Sequence, residues 1–171
     1  MGQLVRLLWE ICRLRKGPQD LPAVPVLVSL TLGADLVLSS LGRAMAATPL
    51  QALRESAVGL GAMVAFLFIV LAARGRRARF VQTVSAAAGT DAVITALLLV
   101  PMALARLGVL PGEILNGVVL LAIIWMVTVL AHVLRHALDV TMGIGVLLTV
   151  GYFVAAIALQ QYLFPPPGPA A

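Results

Sequence analysis

Residues 28–37 (VSLTLGADLV) are matched 56 residues later by residues 84–93 (VSAAAGTDAV), with valine, serine, glycine, aspartate and valine in register. The match starts a third time at residues 140–145 (VTMGIG), but Leu147 takes the place of the aspartate. Each copy lies inside a long apolar run. Because about 20 apolar residues suffice for a helix to cross roughly 30 Å of hydrocarbon, the pattern predicts repeated transmembrane helices, two of which carry a carboxyl group.

The composition of the chain indicates the same class of protein. Of the 171 residues, 61% are hydrophobic and only 11% are charged, and the mean hydropathy is +1.06. An ordinary soluble domain is about 25% charged. The sequence therefore predicts an all-α integral membrane protein. Cys12, as the single cysteine, excludes an internal disulfide and a multi-cysteine metal site.

Five apolar runs define the predicted domain organisation. The spans cover about residues 24–41, 57–73, 84–104, 114–134 and 140–163, within a helical bundle formed by residues 23–163. A cytosolic, basic and amphipathic segment at residues 1–22 precedes the bundle, and a proline-rich flexible tail at residues 164–171 follows it. Four spans are the alternative topology, and they would bring both termini to the same side of the membrane.

The distribution of basic residues predicts the orientation. Nine of the twelve basic residues lie in the segments on the N-terminal side of the membrane, and three lie in the opposite loops. Short loops rich in arginine and lysine stay in the cytosol. We therefore expect a multi-pass protein of the bacterial inner membrane, with a cytosolic N-terminus and a periplasmic C-terminus. Residues 44–46 (AMA) resemble a signal-peptidase site, but the preceding apolar run is too long and contains Asp35.

The 56-residue period aligns the first, third and fifth spans. A helical hairpin repeated in parallel would give this pattern, and parallel repeats occur in transporter folds. Apolar helices draw on few residue types, so chance similarity is the alternative explanation. The aligned aspartates are the strongest argument for a true duplication, because aspartate is rare inside a membrane span.

The two aspartates are the residues whose insertion into the membrane costs the most free energy. An aspartate at the centre of a span costs roughly 2.5–3.5 kcal/mol on insertion scales. Each aspartate belongs to a polar stripe at helical spacing, formed in the first span by Thr31, Asp35 and Ser39 and in the third by Ala87, Asp91 and Thr95. Both stripes are predicted to face other helices. Asp91 lies nearer the cytosolic end of its span than Asp35 does, so a direct pair is not assured. Two interpretations of the aspartates remain open: they lock helices together, or they form a path for protons or cations.

Two further groups of polar residues are candidates for binding. Thr128, His132 and His136 have helical spacing and could approach a metal ion, but they lack a third or fourth ligand, so a polar cap at the membrane interface is favoured. The second group is the basic cluster of Arg74, Arg76, Arg77 and Arg79, which could bind anionic lipid headgroups or an acidic partner. Its alternative role is only to hold the loop in the cytosol. We also expect that Asp139 could pair with Arg135.

The N-terminal segment from Leu4 to Leu14 has apolar residues at helical spacing and charged residues on its other faces. This pattern predicts an amphipathic helix on the cytosolic membrane surface, with docking onto a partner subunit as the alternative.

Catalytic motifs are not recognisable, so the protein is not expected to be an enzyme. An intramembrane aspartyl hydrolase would need both aspartates in one site, and the Tyr-Asp and Gly-x-Gly-Asp signatures of that chemistry are missing. The sequence predicts no cofactor, no bound metal and no nucleic-acid partner. The expected partners are the lipid bilayer, its anionic headgroups and either another membrane protein or further copies of this chain.

Two segments carry a resemblance to known proteins. Residues 15–22 (RKGPQDLP), and residues 79–83 (RFVQT) leading to residues 89–91 (GTD), resemble a group of uncharacterised bacterial inner-membrane proteins of this length. The five-span plan with a cytosolic N-terminus resembles the Yip family. This resemblance implies a structural or partner-binding membrane subunit, which is the function we expect first. The alternative is a small proton- or cation-coupled carrier that uses Asp35 and Asp91.

Overall fold

The computed structural model describes residues 2–165 and is built from helices. These are α1 (Gly2–Cys12), α2 (Pro25–Arg43), α3 (Pro49–Ala73), α4 (Phe80–Arg106), α5 (Gly112–Leu138) and α6 (Met142–Leu163), with short 3₁₀ turns at Pro18–Asp20 and Arg77–Arg79. In the described part of the chain, five helices, α2 to α6, are long and apolar enough to cross a membrane. The prediction of an all-α membrane protein with five spans is confirmed. Most of the predicted tail, residues 166–171, lies outside the described residues.

The second span begins eight residues earlier than predicted, at Pro49 rather than at residue 57. The Thr48 side chain accepts a hydrogen bond from the backbone N–H of Gln51, and proline occupies the first helical position. Both features stabilise a helix start. Arg54 and Glu55, which were predicted to lie in a loop, therefore belong to the first turns of α3.

Helix α4 lies at the centre of the bundle. It contacts α1, α2, α3 and α5, and every residue from Thr83 to Thr90 is buried. The helices are joined by short connections, so consecutive spans run antiparallel. The end of the bundle where α2, α4 and α6 begin carries the arginines between α3 and α4 and is called the basic end below. The end where α2 and α4 finish, near Arg43 and Arg106, is called the opposite end.

Two glycines of the repeated pattern allow helices to approach closely. A Cβ atom on Gly89 would lie 2.6 Å from a Leu8 methyl carbon, and one on Gly145 would lie 2.5 Å from the backbone carbonyl oxygen of Ala131. Gly33, at the matching position of the first copy, has nothing within 4 Å. Equivalent positions of the sequence pattern therefore have different surroundings, and the duplication stays a prediction.

The N-terminal segment forms a helix as predicted, and part of its apolar side packs against the bundle. Leu8, Ile11 and Cys12 of α1 are buried against α4 and α5. The Trp125 indole N–H donates to the Cys12 carbonyl oxygen over 2.9 Å, and the rings of Trp9 and Trp125 meet edge to face at 6.0 Å. Leu8 packs over Gly89, which has no side chain to exclude it. The groove of the bundle that receives α1 could not be predicted from the periodicity of the sequence.

Candidate functional site

A cavity of about 390 Å³ lies between the five spans. Each of α2, α3, α4, α5 and α6 contributes to its wall. The side chain of Arg43 in this wall is 44% exposed, and the neighbouring Gln161 is also exposed. Because both residues lie at the opposite end of the bundle, the cavity has its mouth there and extends inward toward the centre of α4.

The two predicted aspartates meet at the inner part of this cavity. Asp35 and Asp91 both line the cavity, and their side chains lie within hydrogen-bonding reach of each other. The Ser39 hydroxyl donates to Oδ1 of Asp35 over 3.0 Å. A carboxylate can only accept hydrogen bonds, so a hydrogen bond between two carboxyl groups requires a shared proton. The arrangement can therefore hold and release a proton at a defined place.

The sequence left open whether the two carboxyl groups pair, because their positions along the spans are shifted. Helices α2 and α4 pack side by side and place both carboxyl groups in the wall of one cavity. Thr31, one turn below Asp35, is 4% exposed and reaches the surface of Gly89. The missing side chain at Gly89 thus helps α2 to approach α4.

The mouth of the cavity carries a second set of polar groups. The Arg43 guanidinium lies 3.2 Å from the Glu55 carboxylate, and the Gln160 side-chain amide donates to the Glu55 carbonyl oxygen over 2.8 Å. These contacts connect α2, α3 and α6 at the opposite end. Arg43 thus lies at the mouth of the cavity, paired with Glu55.

Ser56 is the polar residue of the wall that most needs an explanation. It is 4% exposed, and within residues 2–165 its hydroxyl oxygen has no hydrogen-bond partner. Ser56 lines the cavity. A buried hydroxyl without a partner is unfavourable by about 1–3 kcal/mol, so this group is available to a polar group that enters the cavity.

The remaining wall is apolar and aromatic. It includes Met63, Met126 and Phe153. The ring of Tyr152 also lines the cavity and stacks on Phe66 with 5.0 Å between ring centres. A mostly apolar wall with a few converging polar groups is typical of a small-molecule site.

Three of the predicted polar residues lie outside the wall of the cavity. The Thr31 hydroxyl donates to the Leu27 carbonyl oxygen of its own helix over 2.9 Å. Thr95 is partly buried one turn beyond Asp91 on α4. His132 is 6% exposed, and its Nε2 lies 3.0 Å from the Lys16 carbonyl oxygen. The histidine thus ties α5 to the segment that follows α1.

The arrangement around the two histidines offers few metal ligands. The rings of His132 and His136 are 4.5 Å apart. Across the part of the chain that the structure describes, three or more histidine, cysteine, aspartate or glutamate side chains do not gather into any group that could hold a metal ion.

The basic cluster divides into two pairs of arginines. Arg76 and Arg79 form ion pairs with Asp139, and Arg79 also donates to the carbonyl oxygens of His136 and Ala137 over 2.9 and 3.2 Å. Arg79 therefore caps the C-terminal end of α5, where such carbonyls lack partners within the helix. The hydrogen bond from Arg79 and the charge of Arg76 hold the pKa of Asp139 below its ordinary value.

The pairing expected between Asp139 and Arg135 is replaced by these contacts with the loop before α4. The other arginines of the cluster have different surroundings. Arg77 lies over the ring of Phe68 at 5.7 Å, and Arg74 is exposed at the C-terminal end of α3. Binding of anionic headgroups by this loop stays a prediction, and it concerns Arg74 and Arg77 more than Arg76 and Arg79.

Several cavity residues were missed because the sequence gives little signal for them. Ser56 and Gln160 are uncharged, and Tyr152 lies in a helix without any charged residue, so none is costly enough in a membrane to attract notice. Arg43 was interpreted only as a loop residue. Helical spacing within α6 could have placed Tyr152 and Gln160 near one face, eight residues apart, but it could not indicate which helix they meet.

Comparison with family models, with curated proteins and with solved structures gives no match for this chain. The resemblance to the Yip family stays an expectation.

Proposed function

We propose that this protein is a small membrane carrier that binds a proton or a cationic solute at the pair of Asp35 and Asp91. The observation that supports this function is the position of the pair. Two aspartates that only lock helices together need no space beside them, whereas these two border a cavity to which all five spans contribute. Carboxyl groups inside a membrane are typical of ion and proton pathways.

The carrier function is preferred over a purely structural subunit because of the other groups in the cavity. Ser56 lines the cavity and is buried without a hydrogen-bond partner among residues 2–165, so its hydroxyl is available to a ligand that enters the cavity. A partner protein or a homo-oligomer is compatible with the carrier, since the exposed apolar faces of the spans leave room for either. The proposed carrier is not an enzyme.

We further propose that the basic end lies in the cytosol of a bacterium and that the opposite end lies in the periplasm. The nine basic residues at or near the basic end, against three elsewhere, support this orientation. Under this orientation the cavity mouth near Arg43 opens to the periplasm, and α1 covers the cytosolic half of α4. The described state would then be open to the outside.

The test is proton flux in liposomes that contain the purified protein. A potassium gradient with valinomycin drives the flux, and a pH-sensitive dye inside the vesicles records it. We expect Asp35→Asn and Asp91→Asn to abolish the flux, because an amide cannot release a proton. Asp139→Asn is the matched control, since Asp139 lies outside the spans and should leave the flux unchanged.

Circular dichroism and gel filtration of each variant check that it is folded. Equal proton flux in the wild type and in both folded variants would remove the carrier function. Loss of assembly in Asp91→Asn, with normal expression, would instead favour a structural role for the pair.

A further inference from the structure

The charge of the cavity favours a ligand with a single positive charge. Two adjoining carboxyl groups repel each other when both are ionised, so a pair such as Asp35 and Asp91, which line the same cavity, favours a single negative charge. The guanidinium of Arg43 lies at the mouth, 3.2 Å from Glu55. A monovalent cation that binds between the aspartates would balance the charge of the carboxyl pair.

The size of the cavity favours a molecule over a bare ion. A water molecule takes up about 30 Å³ of liquid, so a cavity of about 390 Å³ offers far more space than one ion needs. Small-molecule sites have volumes of roughly 300–1,000 Å³. The side chains also favour a molecule over a metal ion. Ca²⁺ takes six or more oxygen ligands and Zn²⁺ usually four, whereas residues 2–165 contain no cluster of three or more histidine, cysteine, aspartate or glutamate side chains that could hold a metal ion.

The walls favour a ligand with an apolar body. Met63 and Met126 present flexible thioether side chains to the cavity, and Phe153 and Tyr152 present aromatic rings. Methionine side chains adapt to irregular apolar ligands, and aromatic rings attract cations through their electron-rich faces. The unpartnered hydroxyl of Ser56 adds one polar contact on α3.

We infer that the ligand is a small organic monocation whose ammonium group binds between Asp35 and Asp91 and whose apolar body lies along the methionine and aromatic wall. This inference depends on the proposed carrier function and specifies its substrate class. The ammonium hydrogens suit the carboxyl oxygens, and the body displaces poorly held water from the apolar wall.

The experiment compares two probes of nearly the same shape, benzylammonium and benzyl alcohol. Each is titrated into the purified protein in detergent at pH 7, and binding is followed by calorimetry. We expect saturable binding of benzylammonium at least tenfold tighter than that of benzyl alcohol. The advantage should disappear in Asp35→Asn and in Asp91→Asn, and it should persist in Asp139→Asn. If one aspartate variant fails to fold, the other still tests whether the preference for benzylammonium depends on the carboxyl pair.

Ser56→Ala supplies a second test that leaves both carboxyl groups in place and removes the polar contact on α3. It should weaken the binding of both probes, and benzylammonium should stay the tighter of the two, because the preference for the cation arises at the aspartates. Sodium and potassium chloride at equal ionic strength should not compete with benzylammonium.

Three results would overturn the inference. These are equal affinity for the two probes, no binding of benzylammonium, or competition by sodium or potassium at equal ionic strength. If any of them occurs while proton flux still requires both aspartates, the substrate class is wrong and the carrier function stands. Absence of both binding and flux would remove the inference and the proposed function together.

Discussion

Gly145→Ala should force α5 and α6 apart. The new Cβ atom would lie 2.5 Å from the backbone carbonyl oxygen of Ala131, and an ordinary contact needs 3.4 Å or more. The gap must therefore widen by about 0.9 Å, the difference between these two distances. A carbonyl oxygen within a helix cannot rotate away as a side chain can, so the strain falls on the packing of the two helices. Overpacking of this kind costs about 1–3 kcal/mol.

Gly151→Ala is the matched control on the same helix, because a Cβ atom there has nothing within 4 Å. Both substitutions gain up to about 1 kcal/mol of helix propensity, so this gain cancels when the two variants are compared. We expect the free energy of unfolding of Gly145→Ala to be about 1–3 kcal/mol lower than that of Gly151→Ala. Reversible unfolding in mixed detergent micelles, followed by circular dichroism, measures the difference. Equal free energies of unfolding would refute the tight contact between α5 and α6.

Three further predictions concern the basic end and α1. Arg79→Ala should lower the melting temperature more than Arg77→Ala, because Arg79 alone caps α5; equal shifts would contradict this. The pKa of Asp139 is lowered in the folded protein, so its contribution to stability is present above the ordinary pKa of 3.8 and is lost as the pH falls through the folded value. Asp139→Asn should therefore destabilise the protein at pH 7, and this destabilisation should shrink as the pH falls below 3.8, as thermal melts over a range of pH would show. Burial raises the pKa of the Cys12 thiol to about 12, so maleimide labelling at pH 7.5 should be slow. Gly89→Ala should accelerate labelling by displacing Leu8, whereas Gly33→Ala should not, and identical rates would count against the docking of α1.

The spans could be predicted from the sequence because each helix meets the requirements for crossing a membrane by itself. A helix in hydrocarbon pairs its backbone groups internally, so length and apolar composition are enough to recognise it. The start of α3 was the exception. It depends on the cap at Thr48 and on Pro49, local signals that are weaker than the apolar run beginning further along the chain. The site of α1 was also beyond prediction, since its apolar face fits both a membrane surface and a protein groove.

The sequence by itself predicted that the protein spans a membrane, with five spans favoured over four, and that Asp35 and Asp91 are unfavourable there. Each conclusion follows from the cost of exposing polar groups to hydrocarbon, which is a property of single residues and single helices. Only the tertiary structure decided that the two aspartates meet, that Ser56 and Tyr152 join them around one cavity, and that Arg79 caps α5. These contacts depend on the rotation and depth of each helix against its neighbours. Close approaches between helices, such as those at Gly89 and Gly145, fix this rotation and depth. The periodicity of a sequence does not reveal which helix will be the neighbour.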